Sequence, residues 1–452
     1  MRIALLTPYS GNNFGDAAIQ DAMISNLRIL APSARFSGIS LSCDNFMSRH
    51  GEEAFPLCAV NRRHFGMSRD HQIVQPESEQ GIAASPNQST VPSSKERIKM
   101  MLNRMPVLRA GLSILSTVFR EARHFARAYR FLKAHDLLIV SGGGQLDDEW
   151  GGTWGLPFTL FKWAMLARIR RIPFAVVSVG AGKLSSATSR MLLSGMLRSA
   201  RYRSYRDKNS RKVASKILPR AAQDLVVPDL AFSLPASKLP APAAFRARAL
   251  GRVIVAISPI IFAKPADWPY ENHALYDRYL WQMARVISHL LDRGNFLVMV
   301  WSAVSDKQVI RDMLQYLDAD SKKKLDQQMH IPEIASWQDL VSVLLDVDFL
   351  IASRLHSTVL GFVAQRPTIA ISFDPKVDWV MSDLGQADFL LQIRNFVAED
   401  VINALEELMV KKDIVVEKLA AYSAATQQLS ARQYKSLASL AAYTSGCVDG
   451  SL

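Results

Sequence analysis

The chain has 452 residues, 49% of them apolar, and a formal net charge of +13. That length can bury two cores, while no apolar run approaches the roughly twenty residues a membrane-spanning helix needs. Its three cysteines, Cys43, Cys58 and Cys447, have neither paired metal-ligand spacing nor a disulfide framework, so a structural metal or a disulfide scaffold is not expected.

The N-terminus enters a strand pattern at once, Ile3 to Leu6, without the long apolar core and cleavage site of a signal peptide, so a cytoplasmic protein is expected. The strand leads into a glycine-containing loop, Tyr9 to Gly15, and then a helical pattern. Asp16 sits at the loop–helix junction, where it can cap the helix or orient and deprotonate a hydroxyl. After a second strand near Phe36, residues 46–133 read as an insertion into the first α/β half. Within it, Arg69 to Ser94 is rich in Gln, Ser, Pro, Asn and Glu and should be a loop or linker. From Lys95 to Lys133, eight arginines and lysines lie between those ends against Glu96 and Glu121, interleaved with apolar residues such as Leu115, Val118, Phe119 and Phe125. This basic amphipathic stretch is either a pair of ordinary surface helices or a peripheral contact with an anionic membrane or acidic partner. No recognition motif, metal finger or aromatic RNA-binding signature accompanies the charge, which argues against nucleic acid.

The strand Leu137 to Val140 then opens into Ser141, Gly142, Gly143 and Gly144. Such a turn lets backbone amides approach an anion, or is merely tight; it is neither a Walker loop nor a dinucleotide fingerprint. Asp147, Asp148 and Glu149 follow and read as a solvated turn. A strand from Phe174 to Ser178 ends in Gly180, Ala181 and Gly182. Tyr202 to Tyr205 leads to Arg206 and Asp207, and Leu225 to Asp229 closes the half. Strands alternating with helical patterns argue for a parallel sheet with covering helices.

The composition shifts to Pro, Ala, Ser and Lys around Leu234 to Ala244, which reads as an interdomain linker. A second α/β series has strands at Val253–Ile257, Phe296–Val300, Phe349–Ile351 and Thr368–Ile371. The third runs into Arg354-Leu355-His356-Ser357, setting a permanent forked cation and a proton-transferring imidazole two positions apart at a strand end. That is where α/β sheets hold anionic ligands, although an arginine pinned to a carboxylate and a histidine satisfied by backbone would give the same letters. The expected boundaries are 1–235 for a first Rossmann-like domain, 236–250 for a linker, 251–395 for a second, and 396–452 for helices packing back. The cleft between the halves is the default active site.

In order and spacing, these segments resemble the polysaccharide pyruvyl transferase family: Asn13-Phe14-Gly15-Asp16, Ser141 to Gly144, Gly180 to Gly182, Arg206-Asp207, Asp229, Arg354-Leu355-His356, and Ile371 to Lys376. The resemblance implies a fold like that of two-domain glycosyltransferases, and transfer of the enolpyruvyl carbons of phosphoenolpyruvate to a sugar, ending as a cyclic ketal. It also implies roles: His356 and Asp16 as acid and base, with Arg354, Arg206, Gly142, Gly143, Gly144, Asn13, Ser357 and Lys376 binding substrate. The expected partners are phosphoenolpyruvate and a saccharide acceptor, free or lipid-linked, with no further cofactor and no metal. A nucleotide-sugar glycosyltransferase, or a noncatalytic binder of acidic polysaccharide or membrane, would fit many of the same features.

Overall fold

The computed structural model describes residues 1–9, 11–59, 106–149, 151–264 and 272–444, with backbone alone for 106–114 and 444. Seven strands form the first sheet: β1 (Arg2–Leu6), β2 (Arg35–Ser40), β3 (Ala54–Pro56), β4 (Leu137–Ser141), β5 (Phe174–Val179), β6 (Tyr202–Tyr205) and β7 (Leu225–Val226). All pair in parallel, in the order β3-β2-β1-β4-β5-β6-β7. The central strands are buried on both faces because helices cover both, hence their unbroken apolar runs such as Leu137 to Val140.

Six strands build the second sheet: β8 (Ile254–Ser258), β9 (Phe296–Met299), β10 (Met329–His330), β11 (Phe349–Ala352), β12 (Thr368–Ser372) and β13 (Leu390–Gln392). Its order, β10-β9-β8-β11-β12-β13, repeats the doubly wound pattern. In each sheet the winding reverses once, between β1 and β4 and between β8 and β11. At such a reversal successive connections diverge to opposite faces and leave a crevice at the carboxyl ends of the strands. The Asn13, Gly142 and Arg354 loops leave these four strands or their immediate neighbours, so topology alone gathers them.

Strands β3, β10 and β13 have no counterpart in the sequence reading. Each is two or three residues long and lies at or next to a sheet edge, too short for periodicity to register. The stretch read as an insertion therefore supplies an edge strand at Ala54–Pro56 and a covering helix at Pro106–Phe131; residues 60–105, with the expected loop from Arg69 to Ser94, lie outside the described residues.

The domains meet along the helix Phe14–Leu30, whose buried Phe14, Ala18, Met23 and Leu27 belong to one apolar core continuing into the second domain. Polar contacts set the register at its start: Phe14 N–H donates to Ser302 C=O at 2.9 Å and Val304 N–H to Asn12 C=O at 3.2 Å. Farther along, Trp337 Nε1 donates to Asp21. The 33-residue helix Lys412–Thr444 then crosses back to the first domain. There Gln433 meets Ser178, Tyr202 and Ser204, and the Tyr434 hydroxyl lies 2.7 Å from Ser233 Oγ.

Candidate active site

Asn13 forms the N-cap of the helix Phe14–Leu30, its Oδ1 accepting from Gly15 N–H at 3.1 Å. The same oxygen lies 2.9 Å from His356 Nδ1. Since Asn13 Oδ1 is already an acceptor, Nδ1 carries the hydrogen, and Nε2 is left as the proton-exchanging atom. Nε2 is buried, has no hydrogen-bond partner, and sits 3.9 Å from Asp16 Oδ1. Contact this close requires glycine at position 15: a Cβ there would stand 2.0 Å from His356 Cγ. The first domain's Asn-Phe-Gly-Asp loop and the second domain's Arg-Leu-His segment thus form one unit.

Burial pushes the Asp16 carboxyl above the usual aspartate range, opposed by His356, reinforced by Asp229 and opposed by Arg206. Its side chain remains about one quarter exposed, so it keeps an open side toward the cleft. A carboxylate with raised affinity for protons is a better base toward a hydroxyl. It lies against the β4 turn, 3.6 Å from where a Cβ on Gly143 would be. Gly142 and Gly143 both adopt the left-handed backbone, φ +53° and +70°, and a Cβ on Gly142 would strike Ile19.

Arg354 is the N-cap of the helix Leu355–Val363, and its guanidinium grips Asp306 through two nitrogens, Nε and Nη2, the latter at 2.9 Å from Oδ1. Asp306 is fully buried and also accepts from Ile261 N–H. Burial raises its pKa while Arg354 opposes that shift. The fork is anchored on one edge through Nε and Nη2, Nη1 lies outside the Asp306 pair, and the side chain stays 23% exposed. Asp306 carries no motif in the sequence; a carboxylate in the loop after β9, the strand beside β8, is its only signal.

Lys376 enters from the second domain at the start of the helix Pro375–Asp383, capped by Asp374. Its Nζ lies 3.8 Å from both Asp374 and Asp147 and 3.4 Å from a notional Cβ on Gly144, so it spans the cleft. Of the acidic run after the glycine turn, Glu149 is exposed as expected, but Asp147 and Asp148 are not. Asp147 is 2% exposed, and burial, offset by Lys376, raises its pKa to about 6. Asp148 is also buried and accepts from the Ser185 and Ser186 amides, so the return of the chain after the β5 turn claims its carboxylate, while Asp147 is left to Lys376.

Two expected binding residues lie beneath the cleft surface. Arg206 is 4% exposed, packed under Gly180, with Asp207 and Asp229 at 3.7 and 3.5 Å and its Nε and Nη2 lacking hydrogen-bond partners. Ser357 is fully buried, its hydroxyl 2.7 Å from Ser258 Oγ and 2.9 Å from Ser302 Oγ, a chain that ties together the ends of β8, β9 and β11. Among the described residues, no group of three or more His, Cys, Asp or Glu side chains is arranged to hold a metal ion.

Three helices therefore begin at one cleft, at Phe14, Leu355 and Pro375, each aiming the positive end of its dipole inward beside Arg354 and Lys376. The His356–Asp16 pair lies among them, so cationic groups, helix N-termini and two titratable side chains share one cleft.

Residues 13–375 match the polysaccharide pyruvyl transferase family, and the chain belongs to it, which makes it a transferase by family. No curated protein matches the chain. Among solved structures, a putative UDP-N-acetylglucosamine 2-epimerase from Listeria monocytogenes aligns with a TM-score of 0.55 and 9% identity, over 93% of this chain and 90% of that one. Anabaena HepE in complex with UDP gives 0.53 and 11%, over 96% and 100%. MnaA from S. aureus with UDP gives 0.52 and 10%, over 92% and 90%. These likenesses establish the fold, two Rossmann-like domains of the glycosyltransferase-B type with a C-terminal helix crossing back.

Proposed function

We propose that the protein transfers pyruvate from phosphoenolpyruvate to two hydroxyls of a saccharide, forming a cyclic ketal and releasing inorganic phosphate. The observation that carries this reading is the His356–Asn13–Asp16 unit beside the anchored Arg354, at the meeting point of three helix N-termini. Phosphoenolpyruvate needs its phosphate and carboxylate neutralised; Arg354 Nη1, Lys376 and the amides of Gly143 and Gly144 supply that charge and those donors, while the Gly142 N–H is already donated to Val177 C=O at 2.8 Å and shapes the turn. Arg206 acts from behind the Gly180 turn, through its field on Asp16.

The protonated His356 delivers its Nε2 proton to the methylene carbon, which becomes the methyl group, and positive charge develops at the neighbouring carbon. An acceptor hydroxyl attacks that carbon as Asp16 takes its proton. The carbon–oxygen bond to phosphate then breaks, and a second hydroxyl closes the ring. Of the two hydroxyl protons, one replaces the proton given to the methyl group and the other leaves on phosphate. Both domains hold the reacting groups, so the cleft positions donor and acceptor together. Membership of the polysaccharide pyruvyl transferase family supports a saccharide of an exopolysaccharide or cell-wall polymer as the acceptor, modified on the cytoplasmic side.

The test incubates purified protein with phosphoenolpyruvate and a panel of free and lipid-linked oligosaccharides, following phosphate and acceptor mass. Acceptor-dependent phosphate release with a mass gain matching a pyruvate ketal is expected. If no acceptor elicits phosphate while a nucleotide sugar binds selectively and is consumed, the protein is a glycosyltransferase on the same scaffold.

A further inference from the structure

The described part of the helix Pro106–Phe131, from Leu115 on, has two apolar faces, and among the described residues only one is packed on the fold. Its inner face, Glu121, His124, Ala128 and Phe131, packs on the first domain: His124 Nε2 lies 2.9 Å from Pro56 C=O, Phe131 stacks on Phe55, and Glu121 pairs with Lys162 at 2.8 Å. Turned about a third of a revolution away, Leu115, Val118 and Phe119 are 60–69% exposed, and Phe125 and Tyr129 continue the stripe at 37% and 36%. Their spacing, 115, 118, 119, 125, 129, follows a single helical face. An ordinary surface helix needs one apolar face and presents polar groups outward; this one presents phenylalanine to solvent.

Arg123, Arg127 and Arg130 run along one edge of the stripe, and Arg170 from the neighbouring helix Leu156–Arg170 lies over the Tyr129 ring at 4.6 Å. The one carboxylate on this part of the helix, Glu121, is committed to Lys162 on the inner side. We infer that this face seats the protein on an anionic lipid surface, apolar side chains entering the interface and arginines meeting the headgroups. Charge decides between occupants. A second copy docking through the same face would bring the same arginines and, among the described residues of the helix, no carboxylate beyond the paired Glu121, while a sheet of anionic headgroups complements the whole edge. The position suits that role. The helix belongs to a core built wholly from first-domain residues, on the sheet face opposite the helix Phe14–Leu30, so seating it leaves the cleft between the domains clear. No helix among the described residues is long and apolar enough to cross a membrane, so the attachment is peripheral.

The experiment is co-sedimentation of the full chain with phosphatidylcholine vesicles, with or without phosphatidylglycerol, at low and high salt. Binding to the anionic vesicles at least about tenfold tighter than to neutral ones, and weakened by salt, is expected, since each basic residue near such a surface contributes about fivefold. Phe119→Asp and the double change Arg123→Glu, Arg130→Glu alter exposed side chains, keep the wild-type melting temperature, and each lose at least about tenfold of that binding. Equal binding to neutral vesicles, or binding unchanged in both variants, overturns the inference. So does a dimer in solution that Phe119→Asp dissociates while vesicle binding is absent, because the face then joins two copies.

Discussion

His356 and Gly15 are one object in space although 341 positions apart in the sequence. Gly15→Ala drives a methyl group into the imidazole and should lower turnover by about a hundredfold through misplacement of Nε2. It should also destabilise the fold by about 1–3 kcal/mol. The His356 Cβ would itself stand 2.3 Å from the new methyl group, so only His356→Gly removes the clash; in that double variant stability should return to that of His356→Gly alone, and urea titrations of the four proteins read the coupling. Asp306 is the positioning partner of Arg354, so Asp306→Asn should raise KM for phosphoenolpyruvate with a smaller change in kcat, while Asp306→Ala costs about 3–5 kcal/mol by leaving a partly buried guanidinium unpaired. Asp147 gives a pH dependence. Its folded-state pKa is raised from 3.8 to about 6, so folding binds a proton across that interval and stability falls as pH rises through it. Asp147→Asn removes the penalty, and denaturant midpoints should show a gain of about 1–3 kcal/mol at pH 7.5 that vanishes below pH 4.

The element that fixes the first domain's active edge is the C-terminal helix. Gln433 is 1% exposed, donates from Nε2 to Ser178 Oγ at 3.1 Å, and accepts from Ser204 Oγ at 2.5 Å and Tyr202 Oη at 3.2 Å. Ser178 holds a left-handed backbone, φ +48°, inside β5, where the register with β6 slips before the Gly180 turn. A non-glycine residue there costs about 1–2 kcal/mol, which the amide network and the Ser204 bond to Ser178 N–H help offset. Gln433→Ala should therefore destabilise by about 1–3 kcal/mol, read by thermal melts, and loosen the Gly180–Arg206 contact more than the Arg354 side of the cleft. The sequence announces a C-terminal helical region but not this role, because a glutamine within a helical pattern looks the same whether it faces water or three hydroxyls.

Two sheets usually mean two units of folding, but here an apolar core runs through the helix Phe14–Leu30 from one to the other, and the helix Lys412–Thr444 spans the junction again. Calorimetry should therefore show a single cooperative transition with matching calorimetric and van't Hoff enthalpies; two resolved transitions would mean the shared core does not couple the domains.

The sequence by itself determined the strands whose burial on both faces writes them as continuous apolar runs, and the residue types that gather at the cleft; it placed the first helix start near Asp16, whereas the cap is Asn13, three residues earlier. Such features depend on neighbours along the chain, where backbone geometry and solvent exclusion act within a few residues. Only the tertiary structure decided that Arg354 is held by Asp306, that Asp147 is buried against Lys376, that Arg206 and Ser357 work beneath the surface, and that the outer stripe from Leu115 to Tyr129 is left unburied. Those outcomes depend on which strand ends the winding reversals bring together. Coulomb and desolvation energies are set by distances and burial that no stretch of sequence contains.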